Sequence, residues 1–264
     1  MPFPNIDPVI ITLGPFSIRW YSLAYIAGIL FGWYYSGVLS NKHSLGITPK
    51  HREDYITYAV LGIIIGGRLG HVCLYEPMKY IAHPIEIFKT YEGGMSFHGG
   101  LLGIAIATLL FCRKNKLPLF KVTDLVSMLA PVGIFFGRIA NFINAELYGR
   151  ITDSPFAVIF PGSDMMPRHP SQLYEAGMEG LLIFCIMMMG QNMLRIPGLA
   201  SGIFLILYSI SRIIVEFFRE PEVSLSEIFG IVTMGQLLSI PLFLAGLWII
   251  VNSLSKARPG KALK

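Results

Sequence analysis

Residues 123–143 read TDLVSMLAPVGIFFGRIANFI, a stretch of 21 residues in which Asp124 and Arg138 are the only charged side chains. A helix of this length, at about 1.5 Å per residue, is roughly 30 Å long, which matches the hydrocarbon thickness of a bilayer. The stretch therefore predicts a membrane-spanning helix. Because charges inside a span are costly, the position of Arg138 also suggests a function for its side chain.

Six other stretches have similar length and apolar character. They are residues 16–38, 55–75, 95–112, 174–194, 201–217 and 234–252. Of the 264 residues, 53% are apolar and 14% charged, and the mean hydropathy is +0.60; soluble domains carry roughly 25% charged residues. This composition excludes a disordered chain and argues against a soluble globule. We predict an all-α polytopic membrane protein with seven transmembrane helices, forming a single membrane-embedded domain over residues 1–264.

The basic residues predict the orientation of the seven spans. Twelve of the 21 Lys and Arg residues lie in one set of connections and five in the opposite set. Because basic loops stay in the cytoplasm, we expect the N-terminus outside and the C-terminus inside. The net charge of +5 then reflects topology, and no nucleic-acid partner is expected. The longest outer connection, residues 144–173, contains four prolines and is predicted to be a small irregular cap.

Charged residues of the predicted spans gather at the outer ends. Arg138 lies five residues before the end of its span, hence about 7–8 Å deep, near the level of lipid phosphates. Arg19, Arg68 and Arg212 are expected at a similar level. Guanidinium groups bind phosphate through two parallel hydrogen bonds, so this layer predicts an anion site open to the outer leaflet. The alternative is that these arginines pair with carboxylates of other helices or extend to the interface.

The end of the span at 123–143, with the residues after it, is the most distinctive motif of the chain. Residues 137–150 read GRIANFINAELYGR. This motif resembles the signature of the prolipoprotein diacylglyceryl transferases and matches it at every fixed position. Further blocks of that family follow the same order here: DPVI at 7–10, RWY at 19–21, GGR at 66–68, GMSFHGG at 94–100, RHPSQLYE at 168–175, RIIVEFFR at 212–219 and MGQ at 234–236. The resemblance extends from Asp7 to about Pro241, nearly the whole chain.

The resemblance implies a reaction. Enzymes of this family transfer the diacylglyceryl group of phosphatidylglycerol to the lipobox cysteine thiol of a preprolipoprotein signal peptide, which forms a thioether and releases glycerol phosphate. It is the first step of bacterial lipoprotein maturation, in the cytoplasmic (inner) membrane. No metal or other cofactor is required. Since the nucleophile belongs to the substrate, we expect Cys73, Cys112 and Cys185 to be packing residues.

Three residues are predicted to act in catalysis: His98, Arg138 and Arg212. Histidine has an ordinary pKa of about 6.5, which suits a general base, so His98 is the candidate acceptor of the thiol proton. The alternatives are a structural histidine or a donor that orients the headgroup. We expect Arg138 to bind the phosphate of phosphatidylglycerol and Arg212 to stabilise the leaving group.

Five further residues are predicted to contact or orient the lipid: Tyr21, Asn141, Glu146, Gly149 and Glu216. Asn141 would bond to a glycerol hydroxyl or hold Arg138, Glu146 would orient an arginine or the peptide, and Glu216 would pair with an arginine one turn away. Tyr21 is a candidate donor to the headgroup or a tyrosine of the aromatic belt. Gly149 permits close approach of a substrate or forms a turn.

Two other functions are compatible with the residues alone. A secondary transporter for an anionic solute would also have an arginine-lined cavity, but transporters carry polar groups at the midplane and commonly show an inverted repeat. Neither feature is apparent here. A non-catalytic lipid or lipoprotein chaperone would use the same arginines and would not need His98.

Overall fold

The computed structural model describes residues 1–4, 6–14, 16–90, 93–220 and 233–257. Seven helices in these residues are long and apolar enough to cross a membrane, which confirms the predicted number of spans and the all-α class. The helices are α1 (Trp20–Lys42), α2 (Pro49–Leu74), α3 (Phe97–Asn115), α4 (Leu119–Ile143), α5 (Ser171–Met189), α6 (Leu199–Glu216) and α7 (Met234–Ala257). Arg258, Lys261 and Lys264, which contribute to the predicted inner charge, lie outside the described residues.

The start of α2 differs most from the prediction, because the helix begins at Pro49 rather than at residue 55. Thr48 caps it: its hydroxyl accepts a hydrogen bond from the backbone N–H of His51 at 3.2 Å, and Nδ1 of His51 accepts from the Thr48 N–H at 3.3 Å. This reciprocal cap, with proline at the first helical position, defines a helix start. The first turn is polar, so hydropathy alone misses it.

The chain packs into two compact units. The first unit comprises Met1–Ser36 and Asp124–Lys264, as far as these ranges are described, and the second comprises Gly37–Thr123. The first unit contains most of α1, most of α4, and α5 to α7, and the second contains α2 and α3 with the end of α1 and the start of α4. The single domain expected over residues 1–264 stays a prediction.

In the second unit, glycines bring α2 and α3 into backbone contact. A Cβ added to Gly70 would lie 2.7 Å from the Cα of Gly99, and one added to Gly103 would lie 2.9 Å from the Cα of Gly66. Both distances are too short for a real side chain, so the close approach requires glycine at these positions. The contact includes Gly99, the residue that follows His98.

The connection between α2 and α3 contains a short helix, Pro77–Ala82, and a 3₁₀ turn, Pro84–Phe88, neither of which was predicted. Arg68 is buried beneath this connection. Its guanidinium donates to the carbonyl oxygens of Glu86 at 2.5 Å, Ile87 at 2.8 Å and Gly93 at 2.7 Å. Arg68 therefore fixes the segment that leads to α3 through backbone carbonyls, a structural role that differs from the carboxylate pairing or interfacial position considered for it from the sequence.

The first unit opens with a hairpin that the sequence did not indicate. Strands β1 (Val9–Leu13) and β2 (Phe16–Arg19) pair antiparallel, with Val9 opposite Arg19. The carbonyl of Asp7 accepts a hydrogen bond from the Trp20 indole at 3.0 Å, and its carboxylate accepts from the Val9 N–H at 2.8 Å. These contacts hold the start of α1, where Tyr21 lies.

The connection between α4 and α5 is irregular, as predicted, but it ends at residue 170 rather than 173 because α5 begins at Ser171. It contains one small antiparallel pair, β3 (Val158–Ile159) with β4 (Pro167–Arg168). An isolated bridge joins Gly149 to Arg219, which follows the end of α6. Residues 144–170 are all described, and none of them is helical.

At the other end of α6, a buried carboxylate of α4 caps the helix. Asp124 accepts hydrogen bonds from the Gly198 N–H at 2.6 Å, the Ser201 N–H at 2.8 Å and the Ser201 hydroxyl at 2.7 Å. A carboxylate at a helix N-terminus satisfies free N–H groups and complements the helix dipole. Asp124 thus fixes the helix that carries Arg138 against the helix that carries Arg212.

Candidate active site

Three arginines and three glutamates of the first unit form one group of ion pairs, which we call the Arg–Glu cluster. Its members are Arg138 from α4, Glu175 and Glu179 from α5, Arg212 and Glu216 from α6, and Arg219 just beyond α6. The side chains of Glu175 and Glu179 are fully buried, whereas Arg138 and Arg212 keep 19% and 14% of theirs exposed. The accessible part of the cluster is therefore formed by guanidinium groups.

Glu175 is the common partner of the three arginines. Its Oε1 accepts from Nη1 of Arg212 at 2.7 Å and from Nη1 of Arg219 at 2.9 Å, while its Oε2 lies 3.1 Å from Nε of Arg138. The two charge-assisted hydrogen bonds to Oε1 are short and therefore strong, whereas Oε2 and Nε of Arg138 form an ion pair. One carboxylate thereby holds arginines from two helices at a fixed separation.

Glu179 lies one turn further along α5 and is held less tightly. Its Oε2 is 3.5 Å from Nη2 of Arg138, and its Oε1 is 3.6 Å from Nη1 of Arg212. The segment Ala176–Leu182 is π-helical, a feature that often occurs at functional sites. Glu179 thus faces Arg138 and Arg212, two of the three arginines that contact Glu175, but through longer and weaker contacts.

Glu216 pairs with Arg212 as predicted from their spacing, with Oε2 at 2.8 Å from Nη2. The carboxylate needs the space left by Gly235 at the start of α7. A Cβ added to Gly235 would lie 2.5 Å from one of its oxygens. This contact explains why the MGQ block has a glycine at position 235, since any side chain there would collide with the Glu216 carboxylate.

Arg138 uses only part of its hydrogen-bonding capacity inside the cluster. Nε and Nη2 face Glu175 and Glu179. Its Nη1 has no partner among the described residues. The guanidinium has five N–H donors in a fixed plane, so the edge formed by Nη1 and the second hydrogen of Nη2 is available to a ligand.

A second group of predicted site residues comes together beside the end of α4. Tyr21, Asn141 and Glu146 contact one another: the Tyr21 hydroxyl donates to Oε1 of Glu146, and Nδ2 of Asn141 donates to the same oxygen at 2.7 Å. Nδ2 of Asn141 also lies against the Tyr21 hydroxyl. The structure therefore joins α1 to the GRIANFINAELYGR motif. Lipid binding by these residues stays a prediction.

Gly149 lies where three segments of backbone meet. Its N–H donates to the carbonyl of His169 at 2.9 Å, and its own carbonyl accepts from Nη1 of Arg168 at 3.1 Å. A Cβ at this position would overlap the carbonyl oxygens of Phe218 and His169. Gly149 does not have the positive φ of a turn glycine. The glycine is required by close packing of the backbone, and its predicted contact with substrate is untested.

Replacing Gly149 by alanine is expected to destabilise the protein by about 1–3 kcal/mol, because an inserted methyl group must displace backbone. Thermal unfolding in detergent measures the effect. Gly133→Ala is the matched control, since a Cβ there meets no atom within 4 Å. An unchanged unfolding temperature for Gly149→Ala would contradict this packing role.

Arg168 and His169 close the connection between α4 and α5 onto the end of α6. Nη2 of Arg168 lies 2.8 Å from Oδ2 of Asp164, and Nη1 lies 3.1 Å from Oε2 of Glu220. The hydrogen bonds from Arg168 lower the pKa of Asp164, and those bonds in turn raise the pKa of Arg168. Burial lowers the pKa of His169, whose Nδ1 lies 3.2 Å from the Tyr174 hydroxyl. These contacts hold the connection in place, which gives Arg168 and His169 a structural role.

His98 belongs to the second unit, as the second residue of α3. Ser96 caps the helix by accepting a hydrogen bond from the Gly99 N–H at 3.2 Å. The His98 side chain is exposed, and its ring centroid is 5.6 Å from that of Phe97. An exposed imidazole at a helix start is accessible to a substrate. Its role in catalysis stays a prediction.

The sequence analysis did not assign Glu175 and Glu179 to the site. Two carboxylates four residues apart at the start of an apolar span are a signal for function, and this signal was present in the sequence. Their three arginine partners come from elsewhere in the chain, so only the fold reveals the cluster. Among the described residues, no group of three His, Cys, Asp or Glu side chains has the geometry of a metal site.

Comparison with known proteins gives one consistent result. Residues 8–252 match the family model described as prolipoprotein diacylglyceryl transferase. Proteins from Rickettsia bellii (strain OSU 85-389) and Rickettsia typhi, both named phosphatidylglycerol–prolipoprotein diacylglyceryl transferase, are 54% and 56% identical to the chain over 256 and 259 residues. The alignments cover 96% and 97% of this chain and 97% and 100% of those proteins.

Proposed function

The chain belongs to the prolipoprotein diacylglyceryl transferase family, and from this membership we propose that it transfers the diacylglyceryl group of phosphatidylglycerol to a cysteine thiol of a prolipoprotein. It is a transferase, and its reaction is the first step of lipoprotein lipidation. Seven apolar helices make it a multi-pass membrane protein. Its membrane is the bacterial cytoplasmic (inner) membrane, and its site faces the outer leaflet. The family argues against the transporter and the non-catalytic chaperone.

The chemistry defines what the site must supply. The cysteine sulfur attacks the glyceryl carbon that carries the phosphate ester, so an S–C bond forms and a C–O bond breaks. The electron pair of the broken bond stays on the phosphate oxygen, and glycerol phosphate leaves with one more negative charge than the diester had. The thiol proton passes to a base. Positive groups near the leaving oxygen stabilise the developing charge, and ionisation of the thiol makes the sulfur nucleophilic.

The available edge of Arg138 is the observation that best supports a phosphate site in the Arg–Glu cluster. Glu175 holds both Arg138 and Arg212 from the buried side, at 3.1 and 2.7 Å. A guanidinium fixed on one edge by carboxylates can bind a phosphate on another edge with little further ordering. We assign the lipid phosphate to Arg138. Arg212 stabilises the leaving oxygen.

Arg138→Lys is expected to lower the transfer rate about 10- to 150-fold although the charge is kept. Lysine cannot contact two glutamates and a phosphate in one plane, and the loss of one charge-assisted bond costs about 1.5–3 kcal/mol. Initial rates with purified enzyme and saturating peptide measure the effect. Arg113→Lys, at an exposed position of α3, should keep the native rate. Near-native transfer by a well-folded Arg138→Lys enzyme would contradict the role in which one edge of the guanidinium contacts glutamates and another edge binds the phosphate.

The Tyr21–Asn141–Glu146 group is assigned to the glycerol headgroup. Glu146 accepts from both neighbours, which orients the Tyr21 hydroxyl and the Asn141 amide. Hydroxyl and amide groups donate to and accept from a glycerol hydroxyl with similar ease. Glu216 acts through Arg212, which it holds at 2.8 Å.

The orientation proposed for the chain has a direct test. A reporter fused at Lys116, in the connection after α3, should report the cytoplasm, and one fused at Gly162 should report the outside. The reason is the surplus of basic residues in the first of these connections. Paired fusions to alkaline phosphatase and to a fluorescent protein make the measurement. The same side for both positions would contradict the proposed topology.

The function itself is tested by transfer of label. Phosphatidylglycerol labelled in its diacylglyceryl group is incubated with the purified protein and a peptide that contains a lipobox cysteine. We expect the peptide to acquire the label through a thioether, whereas the matched peptide with serine at that position should stay unlabelled. A transporter or a chaperone would leave both peptides unlabelled, and that result would overturn the proposal.

A further inference from the structure

The formal charges of the Arg–Glu cluster cancel. Three guanidinium groups, of Arg138, Arg212 and Arg219, face three carboxylates, of Glu175, Glu179 and Glu216. Both fully buried members are glutamates. A site described as an anion site from its arginines alone is therefore neutral when the carboxylates of the described residues are counted in their ionised form.

A neutral cluster is a poor match for an anionic lipid. The phosphodiester of phosphatidylglycerol carries one negative charge, so a cluster that binds it becomes negative by one unit. In surroundings of low dielectric constant, an uncompensated buried charge is costly. Either a cation enters with the lipid, or one of the carboxylates takes up a proton.

Glu179 is the carboxylate that can accept this proton at the lowest cost. Glu175 receives contacts of 2.7, 2.9 and 3.1 Å from three arginines, and Glu216 lies 2.8 Å from its arginine. Glu179 contacts Arg138 and Arg212 at 3.5 and 3.6 Å, which are the longest ion pairs among the described members of the cluster. Protonation of Glu179 therefore sacrifices the weakest ion pairs of the cluster.

The groups that face Glu179 also favour this choice. They are Arg138 from α4, Glu175 from its own helix, and Arg212, Arg219 and Tyr208 from α6 and the residues just after it. When a lipid phosphate binds Arg138 and Arg212, the positive field of these two arginines at Glu179 is partly neutralised. The neighbouring charge of Glu175 remains, and it opposes a second negative charge.

We propose that Glu179 takes up one proton from water when the anionic headgroup of the lipid binds to Arg138 and Arg212. The step is Glu179–COO⁻ plus H⁺ to Glu179–COOH, and no other bond changes. This inference rests on the proposed function, because it assumes that phosphatidylglycerol binds at the cluster. Glu179 is then the residue that lets a charge-balanced site accept a monoanion. The leaving glycerol phosphate carries a further charge, which this single proton does not compensate, and its release is favoured.

Calorimetry of lipid binding tests the proposal. The full-length protein in detergent is titrated with dioctanoyl phosphatidylglycerol at pH 7.5, in PIPES and in Tris, whose ionisation enthalpies differ strongly. The dependence of the binding enthalpy on the buffer gives the number of protons taken up. We expect about one proton per lipid for the native protein, and a Kd that rises about tenfold for each pH unit above neutrality. Both measurements, of proton uptake and of the pH dependence of the Kd, need only the native protein.

The variant Glu179→Gln tests whether Glu179 is the residue that takes up the proton. With the carboxylate replaced by a neutral group of the same shape, uptake should fall to near zero and the Kd should become independent of pH. At pH 8.5 the variant should bind the lipid at least about tenfold more tightly than the native protein. Glu76→Gln, at an exposed pair with Lys79 in the second unit, should keep the native uptake.

Three results would overturn the proposal, and they are distinguishable from one another. Binding by the native protein with no proton uptake would contradict the coupling alone. Unchanged uptake in Glu179→Gln would contradict the assignment to this residue. Failure of the native protein to bind phosphatidylglycerol at all would contradict the proposed function as well.

Discussion

Replacing Arg212 by alanine is expected to lower the rate of diacylglyceryl transfer by roughly 150-fold or more. The side chain contacts three carboxylates, of Glu175, Glu179 and Glu216, at 2.7, 3.6 and 2.8 Å. Removal of one partner from a buried charge network costs about 3–5 kcal/mol, and the leaving phosphate also loses its stabilising cation. Initial rates with saturating phosphatidylglycerol measure the loss. Thermal unfolding of the same preparation shows how much of it comes from stability.

The variant Glu216→Gln tests the contribution of the Arg212–Glu216 ion pair apart from the other contacts of Arg212. The amide keeps the shape and one acceptor, so we expect a milder loss than that of Arg212→Ala. A protein with both changes should be no worse than Arg212→Ala, because Glu216 acts through Arg212. If the losses in activation free energy add instead, the two residues act independently, and the assignment of Glu216 as a positioning residue is wrong.

Replacing His98 by glutamine is expected to lower the transfer rate about 10²- to 10⁴-fold, the usual effect of losing a general base. Glutamine retains hydrogen bonding but has no basic nitrogen. The pH–rate profile of the native enzyme should fall on the acidic side, because protonation removes the base, and this acidic limb should be absent in the variant. Rates of both enzymes from pH 5.5 to 9.5, at saturating phosphatidylglycerol, measure both effects.

Two outcomes would contradict the role of His98 as base, and each identifies a different mechanism. Substantial activity with the acidic limb intact would show that His98 orients the headgroup. Recovery of the variant at high pH would show that the substrate thiol ionises without a dedicated base, in the positive field of the arginines. The matched control is His43→Gln, a histidine near the end of α1 and outside the motifs that carry the resemblance.

The sequence predicts the spans and one ion pair well, for physical reasons. A span of about 20 apolar residues satisfies its backbone internally, so the stretch at 123–143 is recognisable without knowledge of its neighbours. The pair of Arg212 and Glu216 follows from helical spacing alone. The grouping of Tyr21 with Asn141 and Glu146 was not derivable in this way, and only the family resemblance pointed to all three residues.

Features that depend on distant partners were missed. Glu175 and Glu179 contact Arg138 and Arg212, which lie on two other helices far away in the sequence; Glu175, for example, is 37 residues from Arg212. In the sequence, Arg68 and Arg138 look alike, because each is an arginine near the outer end of a predicted span. The structure separates them, because carbonyl oxygens surround Arg68 whereas Arg138 has an edge without a partner among the described residues.

The central claim is that the Arg–Glu cluster is where the phosphate of phosphatidylglycerol binds. A structure of the protein with phosphatidylglycerol bound, at a resolution that defines the headgroup, tests it most directly. We expect a phosphate oxygen at about 2.7–2.9 Å from Nη1 of Arg138, with Arg212 beside the ester oxygen that leaves. A headgroup phosphate bound elsewhere, with no contact to Arg138 or Arg212, would contradict the account.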